Sequence, residues 1–289
     1  MGMGREAYDA LPEARAIFDH ADSVLGFNLS RLCFEGPADE LTQTMNAQPA
    51  ILVTSLAYLV ANLDSGVINR RPLFLAGHSV GEYTAFVAAG ALALDDALVL
   101  VRERGRLMEE AGRERPGTMA AIVGLTVNEV QEICHASGAE PCNFNARTQT
   151  VIGGTLEAVR AACDLARHRG GKGLSMNVAG AFHTSLLEPA SLQFSRVLED
   201  VAFRDPGIPV IGNVTAKALN EGDQCLSDLA RQIAMPVRWH ESIEQMRQAG
   251  VRTFIEIGPG RALTAMLKRD APELKLVSLD GAAATASAS

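Results

Sequence analysis

The sequence predicts an α/β fold, a large domain with a mostly parallel sheet that carries a small inserted domain of ferredoxin-like order. Three observations lead there. Gly77-His78-Ser79-Val80-Gly81 lies between an apolar run, Arg71–Ala76, and a helix of small and apolar residues, Gly81–Ala91. The stretch from Thr118 to Val178 reads strand, helix, strand, strand, helix, strand, which is the ferredoxin-like order. On both sides of it strands alternate with helices, the pattern of a parallel sheet covered on its two faces. A chain of 289 residues suits this division: residues 1–116 and 181–280 for the large domain, 117–180 for the insert, and 281–289 as a disordered tail of small residues.

Taken in order, Met1 to Asp22 places Tyr8, Leu11, Ala14, Ile17 and Phe18 on one face and predicts a single helix. Phe27 to Asp39 reads as loop. Gln48-Pro49-Ala50 opens a helix through Leu63, with proline in a first turn where its missing N–H would have no partner. After the glycine-flanked serine, Asp95 begins a helix to about Arg113. The insert then supplies strands at Thr118–Leu125, Pro141–Asn145, Thr150–Gly153 and Gly173–Val178, with helices Val127–Ser137 and Leu156–Arg169 between them. Beyond Gly180-Ala-Phe-His183, helices are expected at Leu186–Val201, Leu226–Ala234, Trp239–Gly250 and Ala262–Arg269. Strands are expected at Ile208–Val214, Val251–Ile257 and Leu274–Leu279.

Composition narrows the class of function. Hydrophobic residues make up 47% and charged residues 21%, ordinary for a globular enzyme. The net charge of −8 argues against a nucleic-acid partner. Five scattered cysteines without a C-x-x-C pair argue for reduced thiols in a cytoplasmic protein, and against a disulfide framework or metal site. The longest apolar stretch, Pro49–Leu63, contains Thr54, Ser55 and Asn62 and is too short and polar to span a membrane.

G-x-S-x-G between strand and helix is the pattern of a nucleophile elbow, which makes the large domain α/β-hydrolase-like. The turn is expected to hold Ser79 in a strained conformation, with both flanking glycines required because a Cβ would collide. The Val80 N–H, at the start of the following helix, can then stabilise an oxyanion. Serine needs a base. His183 is the best placed, on a turn at a domain boundary, whereas the side chain of His78 should diverge from its neighbour's hydroxyl. No acidic residue stands out as a third member, so a backbone carbonyl is expected to fix the histidine tautomer. Arg104 lies on the apolar stripe of Ala97, Leu100, Val101, Leu107 and Met108. An inward guanidinium cannot discharge and needs an anion, either a carboxylate of the protein or the substrate. Two readings are open at this point. One is a serine acyltransferase or hydrolase acting on a substrate with a carboxylate; the other is a non-catalytic carrier-binding protein that keeps the elbow as architecture.

Eight segments occur in register: Gly77-His-Ser-Val-Gly-Glu82, Gln48-Pro-Ala50, Arg102–Met108, Met119–Gly124, Gly180–His183, Gly212-Asn-Val-Thr215, Pro236–Trp239 and Glu256–Gly260. Together they resemble the malonyl-CoA:acyl carrier protein transacylase family, including free-standing acyltransferases of polyketide synthases. The resemblance implies Ser79 as acylated nucleophile, His183 as base, and Arg104 as partner of the malonate carboxylate. It further implies the carbonyl of Arg238 as the group that orients the histidine, and Gln48, His78 and Phe182 in the substrate pocket, with Phe182 and Val80 favouring malonyl over methylmalonyl. The implied partners are a coenzyme A thioester and an acyl carrier protein whose phosphopantetheine thiol receives the acyl group. The protein would be a cytoplasmic monomer with no cofactor of its own, no metal and no membrane. Family members begin with a strand and a Gly-Gln-Gly-Ser-Gln loop ahead of a segment like Gly2-Met-Gly-Arg5. The resemblance therefore implies a sheet short of a central strand and Val80 as the one matched oxyanion donor. It follows that this form would be less stable and at least about a hundredfold slower than an extended one, or would act as a weakened carrier-binding protein or an editing thioester hydrolase.

Overall fold

The computed structural model describes residues 1–281; of the expected tail, 281–289, all but the first residue lies outside the described residues. The N-terminal region is helical but not one helix. α1 (Arg5–Ala10) stops at Leu11, which is extended at φ −131° and ψ 122°, and α2 (Pro12–Leu25) restarts with proline in its first turn. A residue before proline is pushed out of the helical region, which accounts for the break. The segment expected as loop holds two short helices, α3 (Leu29–Glu35) and α4 (Ala38–Leu41). Leu29, Leu32 and Cys33 bury one face of α3. α5 (Thr44–Asp64) begins earlier than expected, so Pro49 lies inside the helix and not in its first turn.

β1 (Leu75–Ala76) leads through the serine turn into α6 (Gly81–Ala88), and α7 (Leu94–Glu114) follows. α7 crosses the first turn of α5 at Gly105, where a Cβ would lie 2.6 Å from the Thr44 carbonyl. Only glycine permits backbones so close, and the crossing carries the preceding residue, Arg104, to Gln48 on α5. Near its end α7 is crossed again, at Gly112, where a Cβ would meet the Ala179 carbonyl at 2.2 Å. That contact fixes the segment on which His183 is mounted.

The insert has the expected topology. β2 (Thr118–Val123), α8 (Val127–Ser137), β3 (Glu140–Ala146), β4 (Gln149–Gly154), α9 (Leu156–His168) and β5 (Lys172–Ser175) form an antiparallel sheet of order β3-β4-β2-β5. Thr126 and Glu129 close a capping box on α8, which satisfies two N–H groups at its start. Both helices bury Val130, Ile133, Val159 and Ala162 against one face of the sheet. The sheet is fastened to the rest of the molecule by backbone bonds of 2.8 Å between Val237 and both Cys142 and Phe144.

A 3₁₀ turn (Ser185–Leu187) and α10 (Glu188–Leu198) return the chain to the large domain. β6 (Val210–Ile211) pairs in parallel with β1. The strand expected to run on to Val214 instead turns back at Ala216, φ 53°, so that β7 (Ala218–Leu219) pairs antiparallel with β6. α11 (Gly222–Gln232) and α12 (Trp239–Gln248) precede β8 (Thr253–Ile257), α13 (Ala262–Asp270) and β9 (Lys275–Leu279). β8 and β9 pair in parallel but form a sheet of their own. Parallel pairing therefore predominates in the large domain, but its sheet is in two pieces. Phe74, Ala76, Ile211, Phe254 and Leu276 share one apolar cluster across the division, yet no residue of β8 is fully buried and Ile255 is 41% exposed. No helix among the described residues is long and apolar enough to cross a membrane.

Candidate active site

β1 and β6 are parallel, so the loops that follow them emerge on the same edge of the sheet, where α/β proteins build their sites. The first carries Ser79 and the second Asn213. In the first, a Cβ on Gly77 would lie 2.0 Å from the Gly81 backbone, so the chain can double back only on glycine. The collision expected at Gly81 does not occur: a Cβ there meets nothing within 4 Å, because the position opens out of the turn. Ser79 is left-handed at φ 53°, a strained state for a residue with a side chain.

Ser79 Oγ lies 2.8 Å from His183 Nε2. His183 Nδ1 lies 2.8 Å from the Gln232 carbonyl. A carbonyl only accepts, so Nδ1 carries the proton and Nε2 presents its lone pair to the hydroxyl. This orienting carbonyl, expected at Arg238, belongs to Gln232. The Arg238 carbonyl is engaged elsewhere, accepting the Ser242 N–H and Oγ–H at 3.0 Å each as α12 begins. Burial first, and then the Arg104 cation, push the His183 imidazole from 6.5 down to about 3. At neutral pH it is an uncharged proton acceptor.

Arg104 is 1% exposed. Its Nη1 donates to Gln48 Oε1 at 2.7 Å, and its Nη2 donates to Gln232 Oε1 at 2.9 Å and to Ser79 Oγ at 3.0 Å. Nε has no partner. All three acceptors are neutral, and among the described residues no carboxylate forms an ion pair with it. Two anions could balance this cation, and among the described residues no carboxylate of the protein touches it; Glu82 lies beyond Gln232, which bonds to both. Gln48 is thus placed against Arg104. His78 does diverge from the hydroxyl, its Nε2 2.9 Å from Asn145 Oδ1 on β3 and its ring edge-on to Trp239 at 5.6 Å. Phe182 is half-buried beside His183, packed against Met119, Cys142 and Val151 of the small sheet. The Val80 N–H has no acceptor among the described residues.

On the other side of the serine lies a group of residues to which sequence reasoning gave no role. Glu82 and Asp228 are fully buried. Asp228 accepts from the Val214 N–H at 3.0 Å, the Thr215 N–H at 3.1 Å and Thr215 Oγ1 at 2.9 Å. Glu82 accepts from the Asn213 N–H at 2.8 Å and from Gln232 Nε2. Desolvation, and then the charge of Asp228, raise the Glu82 carboxyl well above its ordinary value. Gln232 and Asn213 had one legible signal each, closeness to Pro236-Val-Arg-Trp239 and position directly after a strand of the site-bearing edge. A shallow cavity of about 380 Å³ bordered by Glu6, Asn62 and Ser278 contains none of the residues around Ser79. Among the described residues no group of three His, Cys, Asp or Glu side chains is placed to hold a metal ion.

A strained serine bonded to a neutral, carbonyl-oriented histidine is an acyl-transfer constellation. The acyl transferase domain family matches residues 1–285. Malonyl CoA-acyl carrier protein transacylase of Bacillus subtilis strain 168 is 42% identical over 285 residues, covering 96% of this chain and 89% of its own. The crystal structure of an acyl carrier protein S-malonyltransferase from Vibrio cholerae superposes with a TM-score of 0.93 at 36% identity, over 97% of this chain and 93% of that one. A type II polyketide acyl-carrier protein in complex with its malonyl-transacylase gives the same TM-score and identity over 97% and 92%. The chain belongs to the acyl transferase domain family.

Proposed function

We propose that this chain moves a malonyl group from coenzyme A to the phosphopantetheine thiol of an acyl carrier protein, through an ester on Ser79, in fatty-acid or polyketide assembly. The observation that carries the reading is Arg104, a buried cation with no carboxylate partner, 3.0 Å from the Ser79 hydroxyl. It suits an acyl group that brings its own carboxylate. In the first half-reaction Ser79 Oγ attacks the thioester carbonyl carbon and its proton passes to His183 Nε2. The Val80 N–H faces the developing oxyanion. The carbon–sulfur bond breaks, and His183 returns the proton to the departing thiolate, giving free coenzyme A. In the second half the carrier's thiol attacks the Ser79 ester, His183 takes the thiol proton, and Ser79 regains it as the acyl–oxygen bond breaks. His183 is neutral at the start of each half, as general base catalysis needs.

Phe182, beside the histidine, narrows the room at the acyl α-carbon and favours malonyl over a methyl-branched analogue, a discrimination of about 1–3 kcal/mol. Coenzyme A and phosphopantetheine enter as substrate and partner group, so the reaction draws on no cofactor of the protein's own. These reactants, and five cysteines that are all free thiols, fit a cytoplasmic enzyme. The test is intact-mass measurement after incubation with malonyl-CoA and then with a holo carrier protein. One malonyl group should appear on Ser79 and then move to the carrier, and Ser79→Ala should gain nothing. Acylation that persists in Ser79→Ala, or an ester released only to water, would overturn the reading.

A further inference from the structure

The turn's own hydrogen bonds, Gly81 N–H to the His78 carbonyl at 3.0 Å and Glu82 N–H to the Ser79 carbonyl at 3.1 Å, lie on its helix side, so the Ser79 N–H and the Gly77 carbonyl are held only from outside the turn. Two side-chain amides reach its backbone. Gln232 Nε2 donates to the Ser79 carbonyl at 3.0 Å. Asn213 does more. Its Oδ1 accepts the Ser79 N–H at 2.7 Å and its Nδ2 donates to the Gly77 carbonyl at 2.7 Å. One amide therefore bridges the start and the apex of the turn, in the manner of a neighbouring strand. Asn213 is 1% exposed, and its own backbone is fixed at both ends, N–H to Glu82 Oε1 at 2.8 Å and carbonyl to the Arg238 N–H at 2.9 Å. The Ser79 N–H is thereby occupied, which leaves Val80 as the elbow donor free to meet an oxyanion.

We propose that Asn213 is a positioning residue that clamps the elbow: its amide holds Ser79 left-handed and its hydroxyl within reach of His183, without touching the substrate. The clamp needs one acceptor and one donor on the same planar group. An amide supplies both, a protonated carboxyl supplies both, and an ionised carboxylate only accepts. In Asn213→Asp the clamp should therefore work while the new carboxyl is protonated. It should fail on ionisation, when an oxygen anion faces the Gly77 carbonyl. The titratable and charged groups around this position are Glu82 from α6, Asp228 from α11, Arg238 ahead of α12 and, across Ser79, His183 and Arg104. All are present in the wild type, whose pH profile is therefore the control for them.

The inference rests on Ser79 being the nucleophile of the proposed transfer, so two reagents separate the claims. Malonyl-CoA loading is followed alongside labelling by a serine-directed sulfonyl fluoride, in which Oγ displaces fluoride and His183 takes the proton. Asn213→Ala should lose about 10²-fold in both rates, the scale of a small misplacement of reacting groups. The half-saturating malonyl-CoA concentration should stay unchanged. Asn213→Asp should approach wild-type rates at acid pH and lose them in one proton step that the wild type lacks. Thermal melts on the same samples check folding. Wild-type rates in Asn213→Ala would overturn the clamp, and so would an Asn213→Asp protein that follows the wild-type profile or is unfolded at every pH. If the wild type takes up no malonyl but sulfonylation shows the expected pattern, the malonyl reading fails and the clamp stands.

Discussion

Ionisable groups are buried on both sides of Ser79, and they are satisfied in opposite ways. On one side Glu82 and Asp228 have no cation but are met by fixed donors, five in all, from Asn213, Gln232, Val214 and Thr215. On the other side Arg104 is met by three neutral oxygens and keeps an unpartnered Nε. A charge leaves water only where donors or a counter-charge replace it. The carboxyl side is complete within the fold, and its work is to fasten the loop after β6 to α6 and α11. The cation side is incomplete within the fold, as the proposed role of Arg104 in holding a substrate carboxylate requires. Equal burial thus conceals different roles, separated by counting what each group still lacks.

Substitutions can break this comparison at several strengths. The strongest is Gly77→Ala. Its Cβ would lie 2.0 Å from the Gly81 backbone, and a clash with backbone should exceed the usual overpacking cost of about 1–3 kcal/mol. No folded, acylating protein is expected, whereas Gly81→Ala should melt as the wild type does. Equal melting of the two would remove the steric basis of the elbow. Next comes Asp228→Ala, which strands the buried Val214 N–H and two partly buried donors of Thr215, at about 1–3 kcal/mol for a fully buried unsatisfied group. A denaturant titration should show several kcal/mol lost, on the side described as architecture. A loss of loading rate with undiminished stability would reverse that assignment.

The smallest effect is pH-dependent. The folded Glu82 carboxyl lies well above its ordinary 4.5, so above that pH the native state holds a proton that the unfolded chain has released. Its contribution therefore falls as pH rises. Glu82→Gln removes the titration and keeps an acceptor for the Asn213 N–H, so its stability relative to wild type should improve as pH rises above 4.5. A difference that is flat with pH would mean that Glu82 is not held protonated. His183 runs the other way. Its folded value of about 3 lies below its ordinary 6.5, so between the two the unfolded chain binds the extra proton. Its contribution is lost as pH falls from 6.5 toward 3, and the acid limb of acylation should lie well below the ordinary imidazole range.

Legibility followed the range of the signal. The elbow, Arg104 and the βαββαβ insert are written in local patterns, and α8 appeared with its bounds as read, Val127–Ser137. His183 was found from a domain boundary, since clefts form there. Gln232 and Asn213 were not found, because each works through contacts more than a hundred residues away, to Ser79, Glu82 and Gly77. The Arg238 assignment failed for a related reason. A motif names a neighbourhood, but only hydrogen-bond geometry shows which carbonyl in it is free, and that of Arg238 is committed to Ser242. In the large domain the strands were overestimated. β1, β6 and β7 pair over two residues each, and a strand so short leaves no period in the sequence. The break at Pro12 was readable from proline chemistry but was outweighed by the apolar stripe that runs across it.

The central claim is that Arg104 is held without a counter-charge for the sake of a substrate carboxylate. Its most direct test is the rate of Ser79 acylation by malonyl-CoA and by acetyl-CoA, in wild type and in Arg104→Ala. The two acyl groups differ in the carboxylate alone. The expected result is a loss of over about a hundredfold for malonyl, the scale of a buried charge-assisted pair, with a much smaller loss for acetyl. Equal losses for the two substrates would contradict the claim and make Arg104 a support of the serine and of Gln232 only.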